Sequence, residues 1–327
     1  MKNFEADFYA KETVRGMRVV IAGGSGFLGR YLAAAVAEQH GRVIIVSRKK
    51  DVSVPYPVVT WNDLEQSPEL LADADAVVNL AGETIDQRWT RRAKDRILRS
   101  RLEATRRIAE FVRRLPPKPR VVVQASAVGY YGSTDDESVF DETSPPGRGG
   151  FLNEVARRWE QEAESIRGAR LVVLRTGVVL AADGGALQRM VVPFRLGLGG
   201  QIGSGLQPVS WIHVDDYVRL VLFCLRRPEM TGPVNATAPH PVAQCDMAKT
   251  IAQTLGKPCL LRIPGLLLRV ILGERADIIL RGQRVVPAKA LAAGFTFRYP
   301  TIEAAMQDLL GRGTVRPFVQ ESQKSSS

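Results

Sequence analysis

The sequence predicts an α/β fold, a doubly wound parallel sheet with a smaller carboxyl-terminal α+β cap domain. Three observations predict it. The apolar run Arg18 to Ala22 opens directly onto the cluster Gly23-Gly24-Ser25-Gly26-Phe27-Leu28-Gly29. A helical pattern and a second β-branched run follow, which is the strand–loop–helix–strand unit of a Rossmann-type fold. Short apolar runs then alternate with helical patterns as far as Arg175, as βαβ units do. After Gly177 the character changes to glycine-rich loops and short elements.

Each element follows from local chemistry. Leu28, Leu32, Ala35 and Val36 recur at helical spacing, and Gly41 stops that helix. Val43–Val46, Val58–Trp61, Ala76–Leu80, Val121–Ala125 and Leu171–Arg175 are runs suited to buried strands. Thr90–Arg113 reads as a long helix that must stop before Pro116-Pro117, and Phe151–Arg167 as another. Asp215 is expected to cap a helix running to Arg226, and Val234–Ala236 to return a strand to the sheet. Asp246–Leu255, Leu266–Leu272 and Ile302–Leu310 complete the expected elements. The organisation expected is a loose extension over 1–16 and a nucleotide-binding domain over 17–180, its sheet completed by 211–236. A smaller domain from 181–210 and 237–312 and a disordered tail over 313–327 follow.

Composition excludes several classes. Hydrophobic residues make up 45% and charged residues 24% of 327, enough to bury a core without cross-links. Cys224, Cys245 and Cys259 form no CxxC pair, and His40, His213 and His240 no HxxxH spacing, so no metal site is expected. No apolar stretch approaches the roughly 20 residues that span a bilayer, so no membrane partner is expected and the compartment expected is the cytoplasm. The net charge of +11 concentrates in 91–114, with ten basic and three acidic residues. No stacking aromatics accompany it, so a solvated helix face is expected rather than nucleic-acid binding. A monomer or homodimer is expected.

The glycine cluster is informative because of its context. Gly24-x-Gly26-x-x-Gly29 lies between a strand and a helix, where glycines let the backbone approach a pyrophosphate and the helix start offers free N–H groups. The end of the second strand then selects the cofactor. An acid there would accept a ribose 2′-hydroxyl, whereas this chain has Ser47-Arg48-Lys49-Lys50, suited to a 2′-phosphate. NADP(H) is therefore expected. Arg101 falls inside the apolar stripe formed by Ile97, Leu98, Leu102, Thr105, Ile108 and Val112. A charge there needs a partner, and two readings stand: a cofactor phosphate or ribose, or an arginine that snorkels along the stripe edge or pairs with a carboxylate.

Together with Asn79-Leu80-Ala81-Gly82 and Ser126-Ala127-Val128-Gly129-Tyr130-Tyr131-Gly132, these residues resemble the extended short-chain dehydrogenase/reductase superfamily. The chain is most similar to its atypical "epimerase family" group, short-chain dehydrogenase/reductase family 39U. Arg88-Trp89-Thr90, Ser100-Arg101 with Thr105, Trp159-Glu160, Pro193–Gly200, Gly203-Ser204-Gly205, Trp211-Ile212-His213, Pro287 and Gly294-Phe295 carry that likeness. The resemblance implies an NADP-binding fold with Gly26, Phe27, Leu28, Ser47, Arg48, Leu80, Ala81 and Arg101 at the cofactor. Gly23, Gly24, Ser25, Gly29 and Gly82 complete the expected cofactor set. It implies an oxidoreductase or epimerase-like activity on a small carbonyl or sugar-like substrate, with Ser126 at the catalytic serine position.

One departure bears on activity. The superfamily moves its proton with Tyr-x-x-x-Lys, and no tyrosine here has lysine four residues on. In the expected helix the pair reads Phe151/Val155 or Leu152/Ala156. Ordinary sugar-nucleotide epimerisation is therefore not expected. Ser126, Tyr130 and Tyr131 are the candidate catalytic residues, with Glu83 and His213 as further candidates and Arg157 or Arg158 as a cation for a tyrosine. A non-catalytic NADP(H) sensor or interaction module is the alternative.

Overall fold

The computed structural model describes residues 14–115, 119–134 and 137–311. Its central sheet has seven parallel strands, numbered here in chain order: β1 (Arg18–Ala22), β2 (Arg42–Ser47), β3 (Val58–Thr60), β4 (Ala76–Asn79), β5 (Val121–Ala127), β6 (Arg170–Thr176) and β7 (Gly232–Ala236). Their order across the sheet is β7-β6-β5-β4-β1-β2-β3. The chain winds outward from β1 in one direction and from β4 in the other. A crevice thus opens between β1 and β4 at the carboxyl ends, where Ala22 pairs with Asn79.

The strands are apolar along their length because both faces are covered. On one face Val19, Ile21, Val78 and Val123 pack against Leu32, Ala33 and Val36 of α1 (Phe27–Glu38) and Tyr217 and Val221 of α6 (Val214–Arg226). On the other, Val20, Val77 and Val122 meet Leu64 of α2 (Trp61–Gln66), Ile108 and Val112 of α3 (Arg91–Arg114), and Ala163 of α4 (Phe151–Ala163). A third core joins Leu187, Val191 and Phe194 of α5 (Gly185–Arg195) to Met247 and Ile251 of α7 (Gln244–Leu255) and to Ile302, Met306 and Leu309 of the helix Ile302–Leu310.

Several expected details differ. Val14 is fully buried, its N–H donating to Gln39 Oε1 at 3.1 Å, so the extension is anchored at its described end. Residues 1–13 and the tail over 313–327 lie outside the described residues. Trp61 is not the end of a strand but the first residue of α2, because Thr60 and Asp63 form a capping box. The cap of α6 is His213, whose Nδ1 accepts from the Asp215 N–H at 3.1 Å; Asp215 lies inside the first turn. α4 stops at Ala163 rather than Arg167. The sequence reading places no element over 185–195, yet α5 forms there as a helix with Pro193 inside it, and Val178–Ala181 adds a strand paired with Trp211–His213.

Candidate functional site

The glycine loop is shaped by close backbone packing. Gly23 has φ +77°, and a Cβ there would come 2.9 Å from the Ala81 nitrogen. The loop after β1 and the loop after β4 therefore touch main chain to main chain at Gly23, leaving no room there for a side chain. A Cβ on Gly29 would lie 2.5 Å from the Gly23 oxygen and 2.5 Å from the Gly24 Cα, so α1 rests directly on the loop. Gly26 caps α1 with extended backbone and no side-chain bond, leaving the first-turn N–H groups beside Ser25, Phe27 and Leu28 available to an anion. Phe27 is clamped from above: a Cβ on Gly184 would come 2.6 Å from its ring.

Two cations flank this loop. Ser47 ends β2 buried, its Oγ accepting from the Lys49 N–H at 3.4 Å, and Arg48 beside it is exposed. The Glu83 carboxyl is held below its ordinary range by hydrogen bonds from Gln87 and Arg96, with the charges of Arg96 and Arg48 adding to the effect. Arg101 reaches the other side. Its Nη1 donates to the carbonyls of Glu83 and Ile97, both at 2.9 Å, and its guanidinium lies 5.0 Å from the Trp159 ring centre. A Cβ on Gly82 would come 3.2 Å from the Arg101 Cγ and Cζ, so only glycine lets the β4 loop lie over this arginine. Burial brings the Arg101 guanidinium down to about 10. Among the described residues no carboxylate stands within ion-pair distance of Arg48 or Arg101. An uncapped helix start flanked by two arginines outside any ion pair fits the phosphates of a dinucleotide.

A buried polar layer supports the β4 loop. Asn79 Oδ1 accepts from the Ala81 N–H at 3.2 Å while its Nδ2 donates to Gln124 at 2.9 Å. Thr105 joins them, donating to Gln124 at 3.3 Å and accepting from Trp159 Nε1 at 3.1 Å.

Ser126 lies near the carboxyl end of β5, opposite Arg175 of β6. Its Oγ donates to Glu160 Oε1 at 2.7 Å. Arg175 holds the same carboxylate through Nε at 2.9 Å and Nη2 at 2.8 Å, and the side chains of Arg175 and Glu160 are only 4% and 13% exposed. Arg175 Nη1 donates to the Tyr131 oxygen at 2.8 Å, and Tyr131 donates onward to Asn235 at 2.7 Å. Burial pushes the Tyr131 phenol up to about 12 against the pull of Arg175. The Arg175 guanidinium is lowered by burial but raised more by Glu160, and the balance is upward. Tyr130 differs from Tyr131: its ring lies 3.6 Å from the Arg175 Cζ, and its hydroxyl makes no hydrogen bond among the described residues. Asn153 of α4 fixes this turn by donating to the carbonyls of Gly129 and Tyr130 at 3.0 and 2.8 Å.

The structure therefore gathers Ser126, Tyr130 and Tyr131 around Glu160 and Arg175, two residues to which the sequence reading gave no catalytic role. The signal was present in part. Arg175 ends an apolar strand, where a charge needs a partner, and Glu160 adjoins the inward-facing Trp159. Glu83 is engaged with Arg96 and Gln87, and His213 is buried as a helix cap with Nε2 3.3 Å from Asp308. Arg158 faces Glu154 at 3.9 Å.

Comparison with known proteins matches these features. A family model described as the NAD dependent epimerase/dehydratase family covers residues 19–236. The chain belongs to that family. A second model, described only as a domain of unknown function, matches residues 263–309. Within the family the chain is 38% identical to the epimerase family protein YfhF of Bacillus subtilis, over 90% of this chain and 98% of that one. It is 36% identical to a human epimerase family protein, SDR39U1, whose crystal structure was solved with NADPH; the alignment covers 90% and 99% of the two chains, with TM-score 0.83. The resemblance to the 39U group is thus borne out. A UDP-N-acetylglucosamine 4-epimerase from Bacillus cereus, at 18% identity and TM-score 0.71, shares the fold.

Other expectations concern what surrounds this family's site. Much of the charge on α3 is paired within the chain: Arg96 with Glu83, Arg106 with Glu162, Arg107 with Glu65, Arg113 with Glu110 and Lys94 with Glu274. Among the described residues no helix is long and apolar enough to cross a membrane, and no group of three or more potential metal ligands occurs.

Proposed function

We propose that this chain is an NADP(H)-dependent oxidoreductase or epimerase-like enzyme for a small carbonyl or sugar-like substrate. Its proton path would run through Ser126 and Glu160 instead of a tyrosine–lysine pair. The observation that carries this reading is the 2.7 Å bond from Ser126 to a buried carboxylate pinned by two bonds from Arg175. Gly23 to Gly29, Ser47, Arg48, Leu80, Ala81, Gly82 and Arg101 hold the dinucleotide, with Arg48 reading the 2′-phosphate. The NADPH in the related human structure supports this choice. The bound nicotinamide supplies or takes the hydride.

The chain's own groups handle the proton. When a substrate alcohol is oxidised, its hydroxyl proton passes to Ser126 Oγ as the serine proton passes to Glu160; reduction reverses the path. Arg175 keeps Glu160 oriented between turnovers. Tyr131 is a positioning residue, since its hydroxyl is committed to Arg175 and Asn235. Tyr130, whose ring lies over the Arg175 guanidinium and whose hydroxyl is uncommitted among the described residues, is the phenol available to the substrate.

A second reading, a non-catalytic NADP(H) sensor, has its own observation: Phe151, Leu152, Val155 and Ala156 put apolar side chains at the usual dyad positions. The deciding experiment presents carbonyl compounds and UDP-hexoses to the protein with deuterated NADPH and follows deuterium into product. Transfer is expected with a carbonyl substrate. Ser126→Ala should slow it about 10²-fold or more while leaving NADPH affinity nearly unchanged. NADPH binding without transfer to any compound would favour the sensor. Robust UDP-hexose epimerisation would overturn the reassigned proton path.

A further inference from the structure

The Ser126 network leaves an arginine beside it unused. Arg284 begins the short strand Arg284–Val285, parallel to Val139–Phe140. It is half-buried, its Nε is shut off from solvent without a hydrogen-bond partner, and among the described residues no carboxylate lies within ion-pair distance. Thr134 repeats the pattern. Its hydroxyl is buried and unbonded, while its N–H donates at 3.2 Å to the carbonyl of Gly282, two residues before Arg284.

The surroundings place both residues at the substrate end of the sheet. Ser210 Oγ donates to the Gln283 carbonyl at 2.8 Å and accepts from the Val285 N–H at 2.9 Å. A Cβ on Gly177, directly after β6, would come 2.5 Å from the Ser210 oxygen. On the other side Asn235, which accepts from Tyr131, donates to the Val286 carbonyl at 2.9 Å. The segment 282–286 is thus stitched across the carboxyl ends of β6 and β7, beside the residues that hold Ser126. Ligands of open α/β sheets bind at that end.

A half-buried guanidinium whose Nε has no partner is an open donor, and its planar fork suits carboxylates and phosphates. A buried hydroxyl with nothing to bond is a second open donor. We propose that Arg284 and Thr134 form an oxyanion subsite, so that the substrate carries a carboxylate or a phosphate. This rests on the reading of the cleft as a substrate site and narrows its substrate class to acids.

The test is calorimetric titration of NADPH-saturated protein with two probes, inorganic pyrophosphate and citrate, comparing wild type, Arg284→Met and Arg284→Lys. At least one probe should bind wild type, with pyrophosphate indicating a phosphate-bearing substrate and citrate a carboxylate. Arg284→Met should weaken that probe roughly 10- to 100-fold, the scale of a lost charge-assisted bond, and Arg284→Lys should retain part of the affinity. Without anions, Arg284→Met should melt no lower than wild type, because its side chain makes no hydrogen bond or ion pair among the described residues that the variant would lose. Binding of neither probe, equal affinity in wild type and Arg284→Met, or a lower melting temperature for Arg284→Met would overturn the proposal. NADPH affinity is titrated separately by fluorescence. If NADPH does not bind but the probe difference persists in its absence, the cofactor reading falls and the anion subsite stands.

Discussion

Replacing Glu160 with glutamine removes one charge and little else. The amide can still accept from Ser126, but the Arg175 guanidinium, 4% exposed, loses its counter-charge. Tyr131 and the Tyr130 face remain against it, and neither is an anion. Removing one partner of a buried pair costs about 3–5 kcal/mol, chiefly through the charge left behind. The retained Ser126 bond places Glu160→Gln near the lower end, about 3 kcal/mol. Arg175→Met should cost a similar amount, since it strands the carboxylate and removes a donor to Tyr131. In the double variant Glu160→Gln/Arg175→Met no uncompensated charge remains. Its loss should therefore be close to that of either single variant, a coupling of about 3 kcal/mol. Urea unfolding of all four proteins at pH 7 measures this cycle. Additive losses, or a Glu160→Gln variant as stable as wild type, would refute the account of Arg175 and Glu160 as a desolvated pair.

The remaining predictions concern the cofactor loop and the cap of α6. Arg48→Ala should weaken NADPH roughly 10- to 100-fold by fluorescence titration and leave NADH nearly unchanged; equal losses would remove Arg48 as the 2′-phosphate reader. Gly29→Ala brings a methyl within 2.5 Å of main-chain atoms and should cost about 1–3 kcal/mol together with NADPH affinity, read by thermal melting with and without cofactor. Burial lowers the His213 imidazole below its ordinary value, against the pull of Asp215, Asp308 and Asp216. The unfolded chain therefore takes up a proton that the folded chain resists as pH falls below about 6.5, and stability is lost over that range. His213→Asn, which keeps a capping oxygen but does not titrate, should flatten melting temperatures between pH 7.5 and 5.5; an unchanged slope would exclude His213 as its source.

Local signals and long-range ones divided at a clear point. The parallel strands were legible because burial on both faces demands continuous β-branched runs such as Val43–Val46 and Val121–Val123. The glycine loop was legible because strand, loop and helix are contiguous. The stripe of α3 showed Arg101 as an inward charge, and the structure gives that charge carbonyl acceptors and an aromatic face. Pairing of Arg175 with Glu160 was not legible, because it depends on β6 lying beside β5 and on the rotation of α4. His213 was mistaken for a residue before the cap because Asp is the commoner capping residue. The helix over 185–195 was hidden by its flanking glycines and by Pro193, and its burial of Leu187, Val191 and Phe194 outweighs that local preference.

The stitching of Asn235 and Val286 to the Ser126 network has a consequence for biosynthesis. The glycine loop, Arg48 and Arg101 all precede residue 102, and the strands β1, β2 and β4 that frame the loop are neighbours in the early part of the chain. Ser126, Tyr131, Glu160 and Arg175 follow, but the acceptor for Tyr131 is Asn235, and Asn235 is itself held by a carbonyl at 286. At roughly 5–20 residues per second, translation from β6 to that carbonyl takes on the order of ten seconds. For most of that interval Tyr131 lacks its Asn235 acceptor, and throughout it Asn235 lacks the carbonyl at 286. The nascent chain can thus assemble the nucleotide half of its sheet while the half that carries the proposed proton path is still incomplete.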